Sequence, residues 1–259
     1  DELEHVLVDK AAKEEQFEKD VLELVERFPD CPSALAGRFL KARGDRVEEA
    51  ATMIAKHLAW RAEMLPVDQS DPSVRAELDK GTFRCVGEDA EGRPVLLFAA
   101  NRNKSAERVV ADVIKMMCAV MEDAIAGMPA GTHKFSLVLF APYGTELDLG
   151  LVSALASTFQ DNYPERLHKL YALPTGMMSR VMWEGVRPFL STNTAAKVVL
   201  TSGGHRPREL ATSIPVQVLR EALVAMDPQE CDPWAEGYVS PEVSPEPSEA
   251  SYAGNSDSD

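Results

Sequence analysis

Residue types that commonly perform chemistry are scattered along this sequence instead of being grouped. The histidines have no spacing that suggests a metal site or a catalytic triad, and they stand at His5, His57, His133, His168 and His205. The motifs HExxH, GxSxG, GxGxxG and the P-loop are all absent. We therefore predict no catalytic residue, no metal and no cofactor, and a binding protein in place of an enzyme.

The cysteines are far apart and form no CxxC pair, their positions being Cys31, Cys85, Cys118 and Cys231. Isolated cysteines of this kind are commonly small buried residues in proteins of reducing compartments. No apolar run approaches the roughly 20 residues of a membrane span, and no secretory signal is visible. We therefore expect a cytoplasmic protein with buried thiols. Because the sequence begins with Asp1, we also expect it to be part of a longer chain.

The net charge of −15 is concentrated at the two ends. Residues 1–30 hold eleven acidic and four basic side chains, and residues 231–259 hold seven acidic and no basic ones, so each end carries −7. The intervening residues carry −1. Without a basic face that neutralises many phosphates, nucleic-acid binding is not expected.

The segment 177–190 repeats apolar residues at the spacing of an amphipathic helix. These apolar residues are Met177, Met178, Val181, Met182, Val186, Phe189 and Leu190. Pro188 interrupts the pattern near its end. An apolar run at 168–173 predicts a strand before the helix, and polar turn residues separate the helix from a second strand at 197–200.

Strands and helices alternate before this segment. Apolar runs at 82–86, 94–100 and 135–140 predict strands, and helical periodicity at 105–126 and 147–159 predicts helices. Alternation at this spacing is typical of parallel strands joined by right-handed crossovers. We expect helices to cover one face of the sheet and to leave the other face for the amphipathic segment.

Four helices are predicted before the first strand. The first, 2–28, is either a solvated helix docked weakly on the protein or part of a coiled coil. The second, 33–43, is stopped by Gly44. Asp45, with a glutamate three residues later, predicts a capping box for the third. His57 falls on the polar side of the third helix and is expected at the surface.

Proline marks the remaining helix boundaries. The third helix ends before Pro66, and Asp71 with Pro72 starts the fourth as N-cap and first residue. A last helix follows Pro215 and ends at Met226. From residue 232 onward Pro, Ser, Glu and Gly dominate and hydrophobic periodicity is lost, so we predict a disordered acidic tail.

Several short motifs occur in an order and at spacings that resemble the CRAL-TRIO lipid-binding domain family. They are Tyr163-Pro164-Glu165-Arg166-Leu167, Leu173-Pro174, Trp183, Val186-Arg187-Pro188-Phe189-Leu190, Thr194 and Lys197-Val198-Val199. The turn from Asp89 to Val95 is similar to the first hairpin of the family. The residues from Arg38 to Arg43, together with Trp60-Arg61, are similar to the small helical lobe that precedes the lipid-binding domain in this family.

The resemblance implies an α/β fold with a mostly parallel sheet flanked by helices, a lipid pocket closed by a gate helix, and a small helical lobe in front. We divide the chain into an acidic N-terminal helix (1–30), a helical lobe (31–80), a lipid-binding domain (81–231) and the acidic tail (232–259). In the family, the helix after the Tyr-Pro-Glu loop is the mobile gate over the pocket. The expected gate and pocket residues are Met177, Met178, Val181, Met182, Trp183, Val186, Phe189 and Leu190.

The resemblance also implies a headgroup site, because phosphatidylinositol-binding members place their contacts at the positions of Arg43, Glu165, Thr194 and Lys197. Lysine and arginine donate to a phosphodiester, while inositol hydroxyls donate to a carboxylate. Structural explanations exist for the same residues. Glu165 and Lys197 also fit an ion pair between a loop and a strand, and Arg43 also fits a basic residue at a helix C-terminus.

We expect the protein to bind and exchange one hydrophobic lipid, most of all phosphatidylinositol, between membranes, or to present it to lipid-modifying enzymes. Its expected partners are a phospholipid, a transiently contacted membrane surface, and a lipid kinase or small GTPase. Ala141-Pro142-Tyr143-Gly144 and Phe98-Ala99 depart from the family pattern and leave a second ligand open. The alternatives are an interaction module of the same fold and a carrier of a single-tailed ligand such as a tocopherol, retinoid or sterol.

Overall fold

The computed structural model describes residues 2–141, 145–173, 177–200 and 208–224. The predicted tail, Cys231 and the predicted end of the last helix at Met226 lie outside the described residues.

Ten α-helices and five strands occupy the described ranges. The helices are α1 (Glu2–Arg27), α2 (Ser33–Ala42), α3 (Val47–Met64), α4 (Pro72–Asp79), α5 (Val110–Ala126), α6 (Leu149–Asn162), α7 (Met177–Val186), α8 (Thr192–Ala195), α9 (Arg208–Ser213) and α10 (Val216–Val224). The strands are β1 (Phe83–Glu88), β2 (Pro94–Ala99), β3 (Phe135–Phe140), β4 (Leu167–Leu173) and β5 (Val198–Val199). Short 3₁₀ turns lie at Ala100–Arg102, Ser105–Glu107 and Arg187–Phe189.

The strands form one sheet in the order β1-β2-β3-β4-β5. β1 and β2 are an antiparallel hairpin, whereas β2 to β5 run parallel to their neighbours. Parallel strands need long connections, and α5 and α6 lie in two of them. The predicted mostly parallel α/β sheet is therefore confirmed.

A buried aspartate organises the turn between β1 and β2. Asp89 accepts hydrogen bonds from the backbone N–H groups of Glu91 and Arg93, both at 3.0 Å, and pairs with the Arg93 guanidinium at 2.8 Å. The Ser136 hydroxyl donates to the same carboxylate at 2.9 Å from the start of β3. Gly92 has φ +73°, which glycine adopts without steric cost. The turn is thereby tied to the parallel sheet.

The two faces of the sheet are covered differently. On the first face, residues of β2, β3 and β4 pack against α9, α10 and the link between them, the buried cluster being Val95, Leu97, Ala99, Val138, Phe140, Tyr171, Leu173, Leu210, Ile214 and Leu219. On the second face, Leu96 and Phe135 pack with Met116 and Met121 of α5 and Leu151 of α6. The second face also carries the cavity described below.

A separate helical core forms in α1, α2 and α3. Its buried residues are Leu24, Cys31, Ala36, Phe39, Leu40, Ala50, Ala51, Met53 and Ile54. In α1, Leu24 is the one buried residue among the described side chains, and residues 5–16 are all exposed. The N-terminal half of α1 thus has no buried side chain among those that the structure describes, which agrees with either a solvated helix or a coiled-coil segment.

The start of α3 differs from the prediction. Asp45 has φ +61°, and its N–H donates to the Leu40 carbonyl at 3.0 Å, so this residue completes the turn that ends α2. α3 begins at Val47 after Arg46, without a side-chain cap. The predicted capping box is therefore wrong. By contrast, Asp71 caps α4 as predicted, because its carboxylate accepts from the Ser73 N–H at 2.8 Å.

Two further predictions are corrected. The helix predicted from residue 105 begins at Val110, because Val109 has an extended backbone with φ −107° and ψ 119°. Cys31 and Cys118 are buried as predicted, but Cys85 is exposed. Cys85 lies on β1, which is an edge strand of the sheet.

Candidate functional site

A cavity of about 920 Å³ lies between the second face of the sheet and helices α6 and α7. Apolar side chains form most of its wall. The sheet contributes Phe98, Phe135, Leu137, Leu139, Leu167, Leu170 and Ala172, and α6 contributes Leu151, Val152, Leu155, Ala156 and Phe159. Pockets for small molecules in proteins typically measure about 300–1,000 Å³, so this one is near the upper end of that range.

The predicted gate helix forms one wall of the cavity. Met182, Trp183, Val186 and Leu190 line it. Phe189 is half-buried but is not a lining residue. The side chains of Met177 and Met178 lie outside the described residues.

Val181 departs from the predicted set. Its side chain is 63% exposed and does not line the cavity. A helix that covers a pocket presents its other side to solvent, and Val181 occupies that outer side. The prediction that Val181 lines the pocket is therefore wrong.

Helix α7 rests on the segment that begins α6. A Cβ atom at Gly185 would lie 3.6 Å from Cδ2 of Leu147 and 3.9 Å from Cδ2 of Leu149. Because these are ordinary van der Waals distances, a Cβ atom would fit at Gly185, and the packing of α7 on this segment does not require a glycine. Leu147 and Leu149 are 36% and 43% exposed, so this contact lies at the rim of the cavity.

Gln160 fixes the chain after the gate helix. Its Nε2 donates to the carbonyls of Phe189 and Ala156, each at 3.0 Å, and its Oε1 accepts from the N–H of Ser191 at 2.5 Å. Gln160 therefore joins α6 to the segment between α7 and α8. Its role was not predicted from the sequence.

The four predicted headgroup residues all line this cavity, and three of them lie at the amino ends of the parallel strands. Glu165 precedes β4 in the left-handed region, with φ +56°. Thr194 lies in α8 and Lys197 follows it, immediately before β5. Arg43 reaches the cavity from the end of α2. The structure thus brings together residues that are far apart in sequence.

Glu165 is the centre of the hydrogen bonds at this end. Lys197 Nζ lies 3.3 Å from Glu165 Oε2, and the two side chains are 19% and 20% exposed. Asn193 Nδ2 donates to Glu165 Oε1 at 2.5 Å. Asn193 also lines the cavity, and sequence reasoning missed it. Its position in a polar turn before the last strand was the available signal.

Thr194 is held by the cap of α8. The Ser191 hydroxyl accepts from the Thr194 N–H at 3.2 Å and lies 2.9 Å from the Thr194 hydroxyl. Arg43, in contrast, has no side-chain hydrogen bond or carboxylate partner among the described residues. Among the cavity residues that the structure describes, its guanidinium is thus available to an anion.

His57 is buried, contrary to the prediction, and is 2% exposed. Its Nδ1 lies 3.1 Å from Asn162 Oδ1, and the ring centroids of Phe39 and Trp60 are 5.1 and 5.7 Å away. Trp60 in turn forms a T-shaped pair with Tyr163, a cavity-lining residue, with ring centroids 5.9 Å apart. This row of side chains connects the helical lobe to the cavity. The signal was present in sequence, because His57 follows Ile54 by three positions and shares its apolar face.

The charge state of His57 follows from its surroundings. Burial lowers the pKa of this imidazole, and the hydrogen bond to Asn162 only partly opposes that effect. Arg61 and Arg38 also lower the pKa, whereas Glu122 raises it. Asn162 donates its amide N–H to the Thr158 carbonyl at 3.0 Å, so its oxygen faces His57. The neutral ring therefore carries its proton on Nδ1.

Two further observations concern metal binding and membrane-spanning helices. Within the ranges the structure describes, no group of three or more His, Cys, Asp or Glu side chains is arranged to hold a metal ion. Across the same residues, no helix combines the length and apolar character that crossing a membrane requires.

Several known proteins are similar in sequence to between 66% and 83% of this chain. Phosphatidylinositol transfer protein CSR1 of Eremothecium gossypii is 25% identical over 231 residues, which cover 83% of this chain and 51% of that protein. A CRAL-TRIO domain-containing protein of Schizosaccharomyces pombe is 28% identical over 186 residues, 66% of this chain and 41% of that one. Patellin-6 of Arabidopsis thaliana is 27% identical over 199 residues, which cover 70% of this chain and 49% of that protein. The chain thus spans about half the length of these relatives.

The fold is also similar to that of a solved structure. The crystal structure of Sfh5 matches with a TM-score of 0.55 at 16% sequence identity, over 64% of this chain and 63% of that one. A family model for the CRAL/TRIO domain matches residues 78–223, which include the whole sheet and both cavity helices. The chain belongs to the CRAL/TRIO domain family.

Proposed function

We propose that this chain binds one phosphatidylinositol molecule in the cavity and exchanges it between membranes or presents it to a lipid-modifying enzyme. One observation carries the proposal. Arg43, Glu165, Thr194 and Lys197 come from three separate parts of the chain and line the same apolar cavity. A lipid needs this combination, because its acyl chains require a dry wall and its headgroup requires polar groups at one end.

The headgroup roles follow from the contacts. Arg43 has no partner of its own among the described residues, so it suits the phosphodiester anion. Glu165 is an acceptor for inositol hydroxyls, and Lys197 and Asn193 hold its carboxylate in position. Thr194 supplies a hydroxyl that both donates and accepts. The cluster formed by Glu165 and Lys197 is neutral, which suits an uncharged polyol.

The energetics favour exchange over permanent capture. Two acyl chains of about 30 methylenes gain about 24 kcal/mol on leaving water, at about 0.8 kcal/mol each. A bilayer offers nearly the same gain, so this contribution cancels between membrane and protein. The few kcal/mol from headgroup contacts then decide which lipid is retained.

Similarity to other proteins supports the same proposal. One relative is named a phosphatidylinositol transfer protein, and another a phosphatidylinositol/phosphatidylcholine transfer protein. An interaction module that docks a small GTPase is the alternative within this fold. The cavity volume of about 920 Å³ and its apolar lining argue for a lipid ligand. A carrier of this kind is expected in the cytoplasm, with peripheral and transient membrane contact.

The experiment replaces Lys197 and Glu165 together by alanine. Because both partners are removed, neither charge is left unpaired in a partly buried site. We expect phosphatidylinositol transfer between vesicles to fall at least tenfold while the melting temperature changes little. The matched control replaces Arg75 and Asp79, an ion pair of 2.6 Å with side chains 63% and 58% exposed, away from the cavity. If the double variant folds and transfers phosphatidylinositol normally, Glu165 and Lys197 form only a structural ion pair.

A further inference from the structure

Ser105 stands at the end of a short basic segment. It follows Arg102-Asn103-Lys104, so an arginine lies three positions before its hydroxyl and a lysine one position before it. In the whole sequence, Ser105 is the only serine or threonine with arginine at the third preceding position. One large class of serine/threonine kinases selects its substrates by pairing kinase carboxylates with an arginine at this position. The sequence around Ser105 therefore fits this class of kinase.

The structure leaves the segment accessible. Residues 104–107 are all exposed. The 3₁₀ turn Ser105–Glu107 has extended residues on both sides and no side-chain cap. Arg102 is half-buried, and its Nη1 donates to the carbonyl of Lys80 at 3.1 Å, so a kinase engages it when the turn opens. Short 3₁₀ turns have poor hydrogen-bond geometry, and exposed segments of this kind open at low cost.

The Ser105 hydroxyl is bonded to a carboxylate at the rim of the cavity. Its Oγ lies 2.7 and 2.5 Å from the two carboxylate oxygens of Glu146, to which it donates. Glu146 is exposed and is also a lining residue of the cavity. This contact joins the 3₁₀ turn to the segment that precedes α6.

The same segment supports the proposed gate helix α7. Leu147 follows Glu146 directly, and the side chains of Leu147 and Leu149 lie beside Gly185 of α7. A displacement of Glu146 therefore moves the residues on which α7 rests. Ser105 is thus joined to α7 through a short series of contacts.

We propose that Ser105 is phosphorylated by a serine/threonine kinase that selects arginine at the third preceding position, and that the phosphate loosens the support of α7. The Ser105 Oγ forms a bond to the γ-phosphorus of ATP, while the bond from that phosphorus to the oxygen of the leaving ADP breaks. The hydroxyl proton passes to the catalytic aspartate of the kinase. The effect on lipid exchange rests on the proposed function, whereas the phosphorylation site does not.

The phosphate changes the charge at this contact. A phosphoserine carries about −1.5 to −2 charges at pH 7, and the donor to Glu146 is lost. Because two negative groups this close repel each other, we expect the contact to break. Segment 145–149 then holds α7 less firmly, so that the cavity opens more often and lipid exchange becomes faster.

The first test incubates the full chain with MgATP and Ca²⁺/calmodulin-dependent protein kinase II, which selects arginine at this position. Mass spectrometry should find a phosphate on Ser105 that is lost in Ser105→Ala. Ser157 is the matched control within the chain. It is also exposed and donates to a carboxylate, Asp161 Oδ2 at 3.3 Å, but alanine stands three positions before it, so it should stay unmodified. If Ser105 gains no phosphate, the proposal is overturned.

The second test measures the consequence on the phosphorylated chain. Backbone amides of residues 145–149 should exchange with deuterium at least about fivefold faster, because local opening limits this exchange. Transfer of labelled phosphatidylinositol between phosphatidylcholine vesicles, which carry no net charge, should become about threefold faster, since repulsion at Glu146 weakens the support of α7. Glu146→Gln keeps an acceptor without the charge, so phosphorylation of this variant should change either rate less than about twofold.

The outcomes separate this inference from the proposed function. Hydrogen exchange of the unaltered chain needs neither a variant nor a lipid. Unchanged amide exchange after phosphorylation, or an equal increase in Glu146→Gln, overturns the proposal. If the amides exchange faster but phosphatidylinositol is never bound, the proposed function fails and the phosphorylation site stands. If the phosphorylated chain transfers phosphatidylinositol at an unaltered rate, the coupling to α7 fails and the proposed function stands.

Discussion

Arg43 is the residue whose side chain contributes most to the proposed selection of an anionic headgroup. Its guanidinium has no carboxylate partner among the described residues, whereas Lys197 is paired with Glu165. Hydrogen bonds to a charged group contribute about 1.5–3 kcal/mol. We therefore expect Arg43→Gln to weaken phosphatidylinositol binding roughly tenfold to a hundredfold, measured by equilibrium competition between vesicles and protein.

The matched control is Arg46→Gln. Arg46 lies three residues further on, pairs with Glu49 at the surface, and does not line the cavity. It should leave binding unchanged, since exposed ion pairs contribute little. If both variants lose affinity for phosphatidylinositol equally, the effect of Arg43→Gln is due to overall charge. If neither variant loses affinity, Arg43 does not contact the headgroup.

His57 gives a prediction about acid stability. Its pKa is lowered in the folded protein, chiefly by burial, so the unfolded chain takes up the proton first as the pH falls below about 6.5. Stability is therefore full above that pH, and it declines as the pH falls towards the folded pKa. We expect the melting temperature to fall in this window.

The variant that tests this is His57→Gln, which retains a donor for Asn162 but does not titrate. Its melting temperature at pH 7.5 should be lower than that of the wild type, because the ring contacts with Phe39 and Trp60 are lost. Between pH 6.5 and pH 5 its melting temperature should fall less steeply than that of the wild type. Identical slopes would show that other groups cause the acid sensitivity.

At the scale of elements, helix α7, the proposed gate, has two distinct sides. Met182 and Trp183 line the cavity, while Val181 is 63% exposed on the outside. An apolar side chain in that position suits contact with a membrane interface. A charge near an anionic membrane surface is worth about 1 kcal/mol. We therefore expect Val181→Asp to slow lipid exchange with anionic vesicles about fivefold and to leave the amount of lipid bound at equilibrium unchanged.

Leu22→Asp is the control for this change. Leu22 is 62% exposed, nearly the same as Val181, but it lies on α1 away from the cavity. Its substitution should not slow exchange. If Val181→Asp lowers exchange and bound lipid equally, the helix acts as part of the pocket wall, and if it changes neither, this side of α7 does not meet the membrane.

Elements were predictable where local pattern alone determines them. β3 occurs at the predicted residues 135–140, because an apolar run of that length is buried on both faces of a parallel sheet. The start of α3 was not predictable, because Asp45 adopts a left-handed backbone to finish α2 instead of capping the next helix. His57 was misplaced although it shares the apolar face of Ile54, and only its partner Asn162, 105 positions away, could not be identified from local pattern.

At the scale of the whole molecule, the site depends on contacts between distant parts of the chain. Arg43 comes from the helical lobe and Lys197 from the end of the sheet, and their shared cavity was implied by resemblance and not by any local pattern. The cavity volume could not be predicted either. It depends on how α6 and α7 pack over the sheet, and no local pattern determines that packing.

The central claim is that the cavity holds one phosphatidylinositol molecule through its amino-end polar residues. Native mass spectrometry of the chain purified from eukaryotic cells tests this most directly, with fragmentation of whatever is released. We predict a complex of one protein with one lipid, the lipid identified as phosphatidylinositol, and its loss in the Lys197→Ala, Glu165→Ala double variant. A protein that carries no lipid, or whose bound lipid has no inositol headgroup, would contradict the claim.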